Sequence, residues 1–123
     1  MANYGMLVLF SVIVAIGQIQ AAGYNTEPQL VEFGTFAAAD TTCYIMKIFK
    51  GQKSPVILNF NNPSGKVINY IKVEAQNNNR KAGITADITN GAIGQAFVSV
   101  RIMEGRGKST FNGDVFVQMN CLV

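Results

Sequence analysis

The pattern of apolar and polar positions divides the chain into one N-terminal apolar run and a series of short alternating segments. Residues 6–16 form an uncharged, almost wholly apolar run of 11 residues, and small residues follow at 21–23. A bilayer span takes about 20 apolar residues, whereas this shorter run with a small-residue end is typical of a secretory signal peptide. We predict a signal peptide over 1–21, cleaved after Ala21 or Ala22, and no membrane attachment afterwards. The alternative is a buried N-terminal helix or strand.

Past an irregular lead-in from Tyr24 to Asp40, β-branched and aromatic runs alternate with turns rich in Gly, Asn and Pro. Asn90-Gly91 indicates a hairpin turn. At Asn112-Gly113 we prefer a bulge or kink inside one long last strand to a second hairpin. The predicted strands are Cys43–Phe49, Pro55–Phe60, Val67–Ala75, Ala82–Ile88, Phe97–Met103 and a last strand that carries Val115, Val117 and Met119. Period-two alternation predicts that the inward residues of the last part of 67–75, of 97–103 and of the last strand are Ile71, Val73, Ala75, Val98, Val100, Ile102, Val115, Val117 and Met119.

These strands predict an all-β fold. About six strands without helical crossovers favour a single antiparallel sandwich or flattened barrel. The chain has 123 residues, of which 49% are hydrophobic, enough for one core. We therefore predict one β domain over 22–123.

The two cysteines, Cys43 and Cys121, predict one disulfide bond. An even pair in a small domain on an oxidising secretory route usually pairs, and only one intramolecular pairing exists. The two strands that carry them should then be neighbours or face each other, with Cα atoms within about 7 Å. Two free buried thiols are the alternative.

The residues available for chemistry predict binding rather than catalysis. The chain has no histidine, two cysteines and seven dispersed carboxylates. Histidine bases, Cys-His pairs and four-cysteine zinc clusters are therefore excluded. We predict no catalytic residue, no metal ligand and no cofactor, and hence that the protein is not an enzyme.

Aromatic and basic residues supply the candidate binding surface. We predict that Phe97, Arg101 and Phe116 share an exposed sheet face, and that Arg106 and Lys108 lie in a recognition loop, 104–108. A second candidate loop is 76–81. The alternative is that both rings lie under another element. The expected partner is an unknown protein or small ligand; a net charge of +3 is modest, so nucleic acid is not the expected partner.

An ordered set of motifs occupies the stretch from Gly65 to Val117. It contains strands at 65–73 and 97–102, turns at 74–78 and 90–95, and a closing hairpin formed by Gly105-Arg106-Gly107 with Phe111 and Val115. This set resembles the insect multiprotein bridging factor 2 family, which includes the lepidopteran response-to-pathogen proteins. Family members often have Gly-Gly where this chain has Gly91-Ala92, and Asp where it has Glu74. The matching positions are turn glycines and core residues, so the resemblance implies a fold more directly than a site.

The resemblance implies two settings for function. Some relatives are described as transcription coactivators that bridge a nuclear receptor and basal factors, and many carry signal peptides and are induced in gut or saliva by infection or diet. The apolar leader and the cysteine pair favour the second setting. We predict a small, secreted, extracellular binding protein of gut lumen, saliva or haemolymph, acting in defence or stress response. The alternatives are an intracellular coactivator and a matrix protein that self-associates through strand edges.

Overall fold

The computed structural model describes residues 29–76 and 83–123, with the backbone but not the side chain of Arg106. No helix in these residues is long and apolar enough to cross a membrane. The predicted signal peptide at 1–21, its boundary with the β domain, and most of the predicted loop 76–81 lie outside the described residues. The strands are β1 (Leu30–Gly34), β2 (Thr41–Ile48), β3 (Val56–Asn61), β4 (Ile68–Ala75), β5 (Ile84–Gly91), β6 (Phe97–Glu104) and β7 (Val115–Cys121).

The described strands form two antiparallel sheets. One has the order β1-β4-β7-β2, and the other has the order β3-β6-β5. One hydrophobic core contains buried residues from both sheets, so the sheets pack face to face. The predicted all-β, antiparallel class is confirmed, and two separate sheets correspond to the sandwich rather than to the flattened barrel.

Period-two alternation on the central strands supplies this core. Each fully buried aliphatic side chain contributes about 1.5–3 kcal/mol relative to its exposed state. Along β6 and β7 the predicted inward residues are buried, while Phe116 between them points outward. The side chains with no solvent exposure on the central strands are Ile68, Ile71, Val73, Val98, Val100, Ile102, Val115, Val117 and Met119.

The Cys43–Cys121 disulfide is confirmed. It joins β2 to its neighbour β7, with Cα atoms 5.8 Å apart. The β2–β7 register shifts between Thr42 and Tyr44, so Cys43 is the extra residue of a β-bulge. Asn62 of the β3–β4 turn donates a hydrogen bond from Nδ2 to Cys121 Sγ at 3.3 Å. The disulfide therefore links the second described strand to the last one.

Two predictions about strands were wrong. The lead-in 24–40 is not wholly irregular, because residues 30–34 form β1, which pairs with β4. The last strand does not run through Asn112-Gly113: residues 105–107 form a 3-10 turn, 108–114 form a loop, and β7 starts at Val115. This loop carries the chain from one sheet to the other, so β6 and β7 are not a hairpin.

The predicted hairpin at Asn90-Gly91 exists, but these two residues end β5 instead of forming its turn. Gly91 pairs with Val98, and the turn follows it. Gly91 has φ of 69°, and a Cβ built on it would lie 2.1 Å from the carbonyl oxygen of Phe97. Both the backbone conformation and the close approach of the next strand therefore require glycine.

A pair of glycine substitutions tests this reason. Gly65, in the β3–β4 turn, has a similar φ of 75°, but a Cβ there would meet nothing within 4 Å. We expect Gly65→Ala to cost about 1 kcal/mol of unfolding free energy, from the left-handed conformation alone. Gly91→Ala should cost at least about 2 kcal/mol more, because the β5–β6 pairing must also shift. Urea unfolding measures both, and equal losses would contradict the steric account.

Removal of the disulfide tests its contribution to stability. For a bond that spans 78 residues, the chain-entropy model gives roughly 4–5 kcal/mol. We expect Cys43→Ala/Cys121→Ala to lower the unfolding free energy by about 2–5 kcal/mol, measured in urea without reductant. Reductant should destabilise the native chain by a similar amount and leave the double variant unchanged. A double variant as stable as the oxidised chain would show that the bond adds nothing.

Candidate protein-interaction surface

The outer face of the four-stranded sheet carries three rows of side chains that run across the strands. The first row crosses from Glu74 through Phe116 to Lys47, and the second from Lys72 through Gln118 to Ile45. The third row contains Tyr70 and Asn120. Apolar and aromatic groups lie toward β2, and polar groups lie toward β1 and β4.

The β2 side of this face exposes large apolar side chains. Ile45 is 69% exposed, Phe49 58% and Phe116 37%. Lys47 Nζ lies 4.8 Å from the ring centroid of Phe49 and 5.4 Å from that of Phe116, so one cation bridges both rings. We call these four residues, Ile45, Lys47, Phe49 and Phe116, the aromatic surface.

Asp114, which directly precedes β7, holds Lys47 in this position. Its Oδ2 lies 3.4 Å from Lys47 Nζ, and its Oδ1 accepts a hydrogen bond from the backbone N–H of Lys50 at 2.8 Å. The Lys50 N–H and, to a smaller extent, the Lys47 ammonium lower the pKa of Asp114 below its ordinary value of 3.8. A carboxylate thus anchors the turn after β2 and the cation between the rings.

An open groove adjoins the aromatic surface. Its volume is about 310 Å³, and an ion pair between Lys72 Nζ and Glu74 Oε1, 3.8 Å apart, lies in its wall. The groove runs along the sheet and is shallow, so it suits a flat macromolecular contact. The residues that line it are Ile45, Lys72, Glu74, Gln76, Phe116, Val117 and Gln118.

The opposite end of the same face is closed and polar. Tyr70 is buried and donates a hydrogen bond from its hydroxyl to Glu32 of β1, while Phe36 packs edge-on against its ring at 5.7 Å. Burial first, and then the Glu32 carboxylate, raise the pKa of Tyr70 to about 12. This phenol stays neutral at physiological pH and serves the packing of β1 on β4.

The described carboxylates are dispersed, and each one has a different partner. No group of three or more Cys, Asp or Glu residues in the described ranges is placed to hold a metal ion. The pairs are Glu32 with Tyr70, Asp40 with Asn69, Glu74 with Lys72, Asp87 with Arg101, Glu104 with the Asn112 N–H, and Asp114 with Lys47.

Comparison with protein families gives a match for this chain. Residues 33–117 match the family described as Transcription activator MBF2, from within β1 to within β7. The chain belongs to this family. Comparisons with curated proteins and with solved structures found no match. Family membership confirms the resemblance drawn from residues 65–117 and extends it across most of the sandwich.

The family match contradicts the predicted extracellular localisation. A transcription activator acts in the nucleus, so the family description points to an intracellular nuclear protein and not to a secreted one. The localisation prediction depended on residues 6–16, which lie outside the described residues, and on the cysteine pair. Neither the match nor the structure supports the signal peptide at 1–21 or a response to pathogens.

The binding residues predicted from the sequence do not form one surface in this MBF2-family fold. Phe97 and Arg101 lie on the outer face of the three-stranded sheet, and Arg101 forms an ion pair with Asp87 at 3.0 Å. Phe116 lies on the other sheet, which faces the opposite way. Lys108 is exposed in the loop after the 3-10 turn that contains Arg106. The separation arises because the chain crosses between sheets after β6.

Sequence reasoning missed three of the four residues of the aromatic surface, all in or next to β2. Ile45, Lys47 and Phe49 alternate with Tyr44, Met46 and Ile48, which point toward the core. Both sets are largely apolar, so alternation alone could not tell which one faces solvent. Lys47 could have decided this, because a lysine between Ile45 and Phe49 indicates that these three residues face solvent.

The Asp114 carboxylate gives this site a pH-dependent signature. A carboxyl group whose pKa is lowered in the folded state stabilises the fold above its unfolded pKa, near 3.9, and loses that effect as pH falls through the folded pKa. We expect Asp114→Asn to be less stable than the native chain at pH 7, and the difference to shrink as pH falls below the ordinary pKa of 3.8. Lys47→Met should keep part of the pH dependence, because the Lys50 N–H remains. Urea midpoints across this range measure it, and a difference that does not vary with pH would contradict the assignment.

Proposed function

We propose that this chain is a transcription coactivator that works by binding proteins, bridging a nuclear receptor and basal factors. The observation that carries the proposal is the match of residues 33–117 to the Transcription activator MBF2 family. A bridging factor needs surfaces for other proteins and no catalytic centre. The aromatic surface is the feature of the fold best suited to supply one.

The composition of the aromatic surface supports this role. Exposed aromatic groups next to charged residues are typical of the centre of a protein interface, where a few buried anchors carry most of the binding energy. Phe116 lies at a rigid internal strand, so a partner would meet it without ordering a loop. Lys47 Nζ lies over both rings, so the surface presents a cation together with its two aromatic groups.

Binding without catalysis is part of the same proposal. The chain has no histidine that could activate a cysteine thiol, and its described carboxylates serve separate structural pairs. Proteins are a better partner than nucleic acid, because Lys47, Lys72 and Arg101 are each neutralised by a neighbouring carboxylate. A modest net charge of +3 agrees with this preference.

A tethered reporter assay in insect cells tests the function. The full chain, fused to a heterologous DNA-binding domain, should activate a reporter gene. We expect Phe49→Ala/Phe116→Ala to reduce activation to near background, because loss of interface anchors weakens binding by about 30-fold or more. The matched control is Ile57→Ala on the other sheet, where Ile57 is 57% exposed, and it should activate normally.

The outcomes distinguish the coactivator function from the surface proposed to carry it. No activation by the native fusion, at normal expression and in the nucleus, would reject the coactivator proposal. Activation that survives the double substitution would reject the aromatic surface as its site. Because both variants change exposed side chains, thermal unfolding should give nearly the same midpoint for all three chains.

A further inference from the structure

The free edge of β2 is an open strand edge in the described part of the chain, although it carries Lys47 and a register shift between Thr42 and Tyr44. β2 pairs with β7 on one side and with no described strand on the other. The remaining edges carry the usual protection against pairing. β1 has five residues, β3 begins after Pro55, and β5 carries Asp87 and a register shift between Ile88 and Asn90. β2 has eight residues and pairs regularly with β7 from Tyr44 to Ile48.

The side chains along this edge are apolar and accessible. Ile45 is the most exposed large hydrophobic residue on any of the described strands. Tyr44 and Met46, on the inner side, are only partly buried, and Tyr44 packs against Phe60 of β3 at 4.8 Å. An exposed strand edge with apolar side chains on both faces is a template for another strand.

The charges around β2 favour a second copy as the partner. Asp40 precedes the strand, while Lys50 follows its far end, where Lys47 is already paired with Asp114. In an antiparallel pair of two β2 strands, any register centred between Tyr44 and Met46 brings Asp40 of one copy to the lysine end of the other. The strand is therefore complementary to itself in the antiparallel direction, and both ends of the pair gain opposite charges.

We propose that two copies of this chain associate through β2, antiparallel, into one continuous eight-stranded sheet. The contact is isologous, so the dimer closes and does not grow into a fibre. Ile45 lies at or beside the twofold axis, where the two copies shield each other's exposed side chains. The proposal goes beyond the proposed function, because it concerns a second copy of the chain and not a transcription partner.

The test is the molar mass of the full chain, measured by light scattering over a concentration series. We expect a dimer of the 13.3 kDa chain. Ile45→Lys places two ammonium groups at the twofold axis and should raise the dissociation constant at least about tenfold. Leu30→Lys, on the opposite edge of the same sheet, is the matched control and should remain a dimer.

Charge reversal provides a second, independent test. Asp40→Lys should weaken the dimer about tenfold, and Asp40→Lys/Lys50→Asp should restore it, because the double variant again has opposite charges at its two ends. Asp40 also accepts a hydrogen bond from Asn69 Nδ2 at 3.0 Å, and damage from that loss would not be rescued. A native chain that stays monomeric or an Ile45→Lys variant with unchanged affinity would overturn the proposal, as would absence of rescue when the Asp40→Lys chain keeps the native unfolding midpoint. The readout does not depend on whether the chain activates transcription.

Discussion

The insertion of β7 between β2 and β4 is the interaction on which the rest of the structure depends. β7 pairs with both neighbours along most of its length, and the disulfide fixes it to β2 across 78 residues of sequence. Its inward residues fill the core, and its outward Phe116 lies at the centre of the candidate surface. The first sheet cannot be completed until the last strand is available, which makes folding a non-local event.

The sequence predicts the strands well but not their division into sheets. Alternation identified the inward residues of β4, β6 and β7, because a buried face leaves a period of two. Nothing in that pattern says which strands pair, so β6 and β7 could be taken for a hairpin. β1 was missed because its inward residues, Val31 and Phe33, are few and only partly buried. For the same reason, the sequence could not show that Phe97 and Phe116 lie on different sheets and not on one shared face.

The disulfide and the family description imply different redox states for the two cysteines. Nuclear and cytosolic thiols are kept reduced, so a nuclear coactivator would carry Cys43 and Cys121 as thiols. The four-stranded sheet would then rely on the ladders that flank β7 and on the core beneath it. Cys121 is buried, and Asn62 also contacts its sulfur, so the end of β7 retains contacts that do not need the bond. Those contacts make a reduced, folded state consistent with the architecture.

β2 connects the two proposals, because it supplies side chains to the aromatic surface and its free edge to the second copy. In the continuous sheet the two β7 strands are separated by two β2 strands, which puts the β7 strands about 14 Å apart at the usual strand spacing and the Phe116 side chains at least that far apart. Both rings would face the same way, with Ile45 of each copy between them. A partner that spans this distance would bind two anchors at once, and the second contact would benefit from a high effective concentration. Dimerisation would thus enlarge the surface available for bridging without any change in the conformation of either copy.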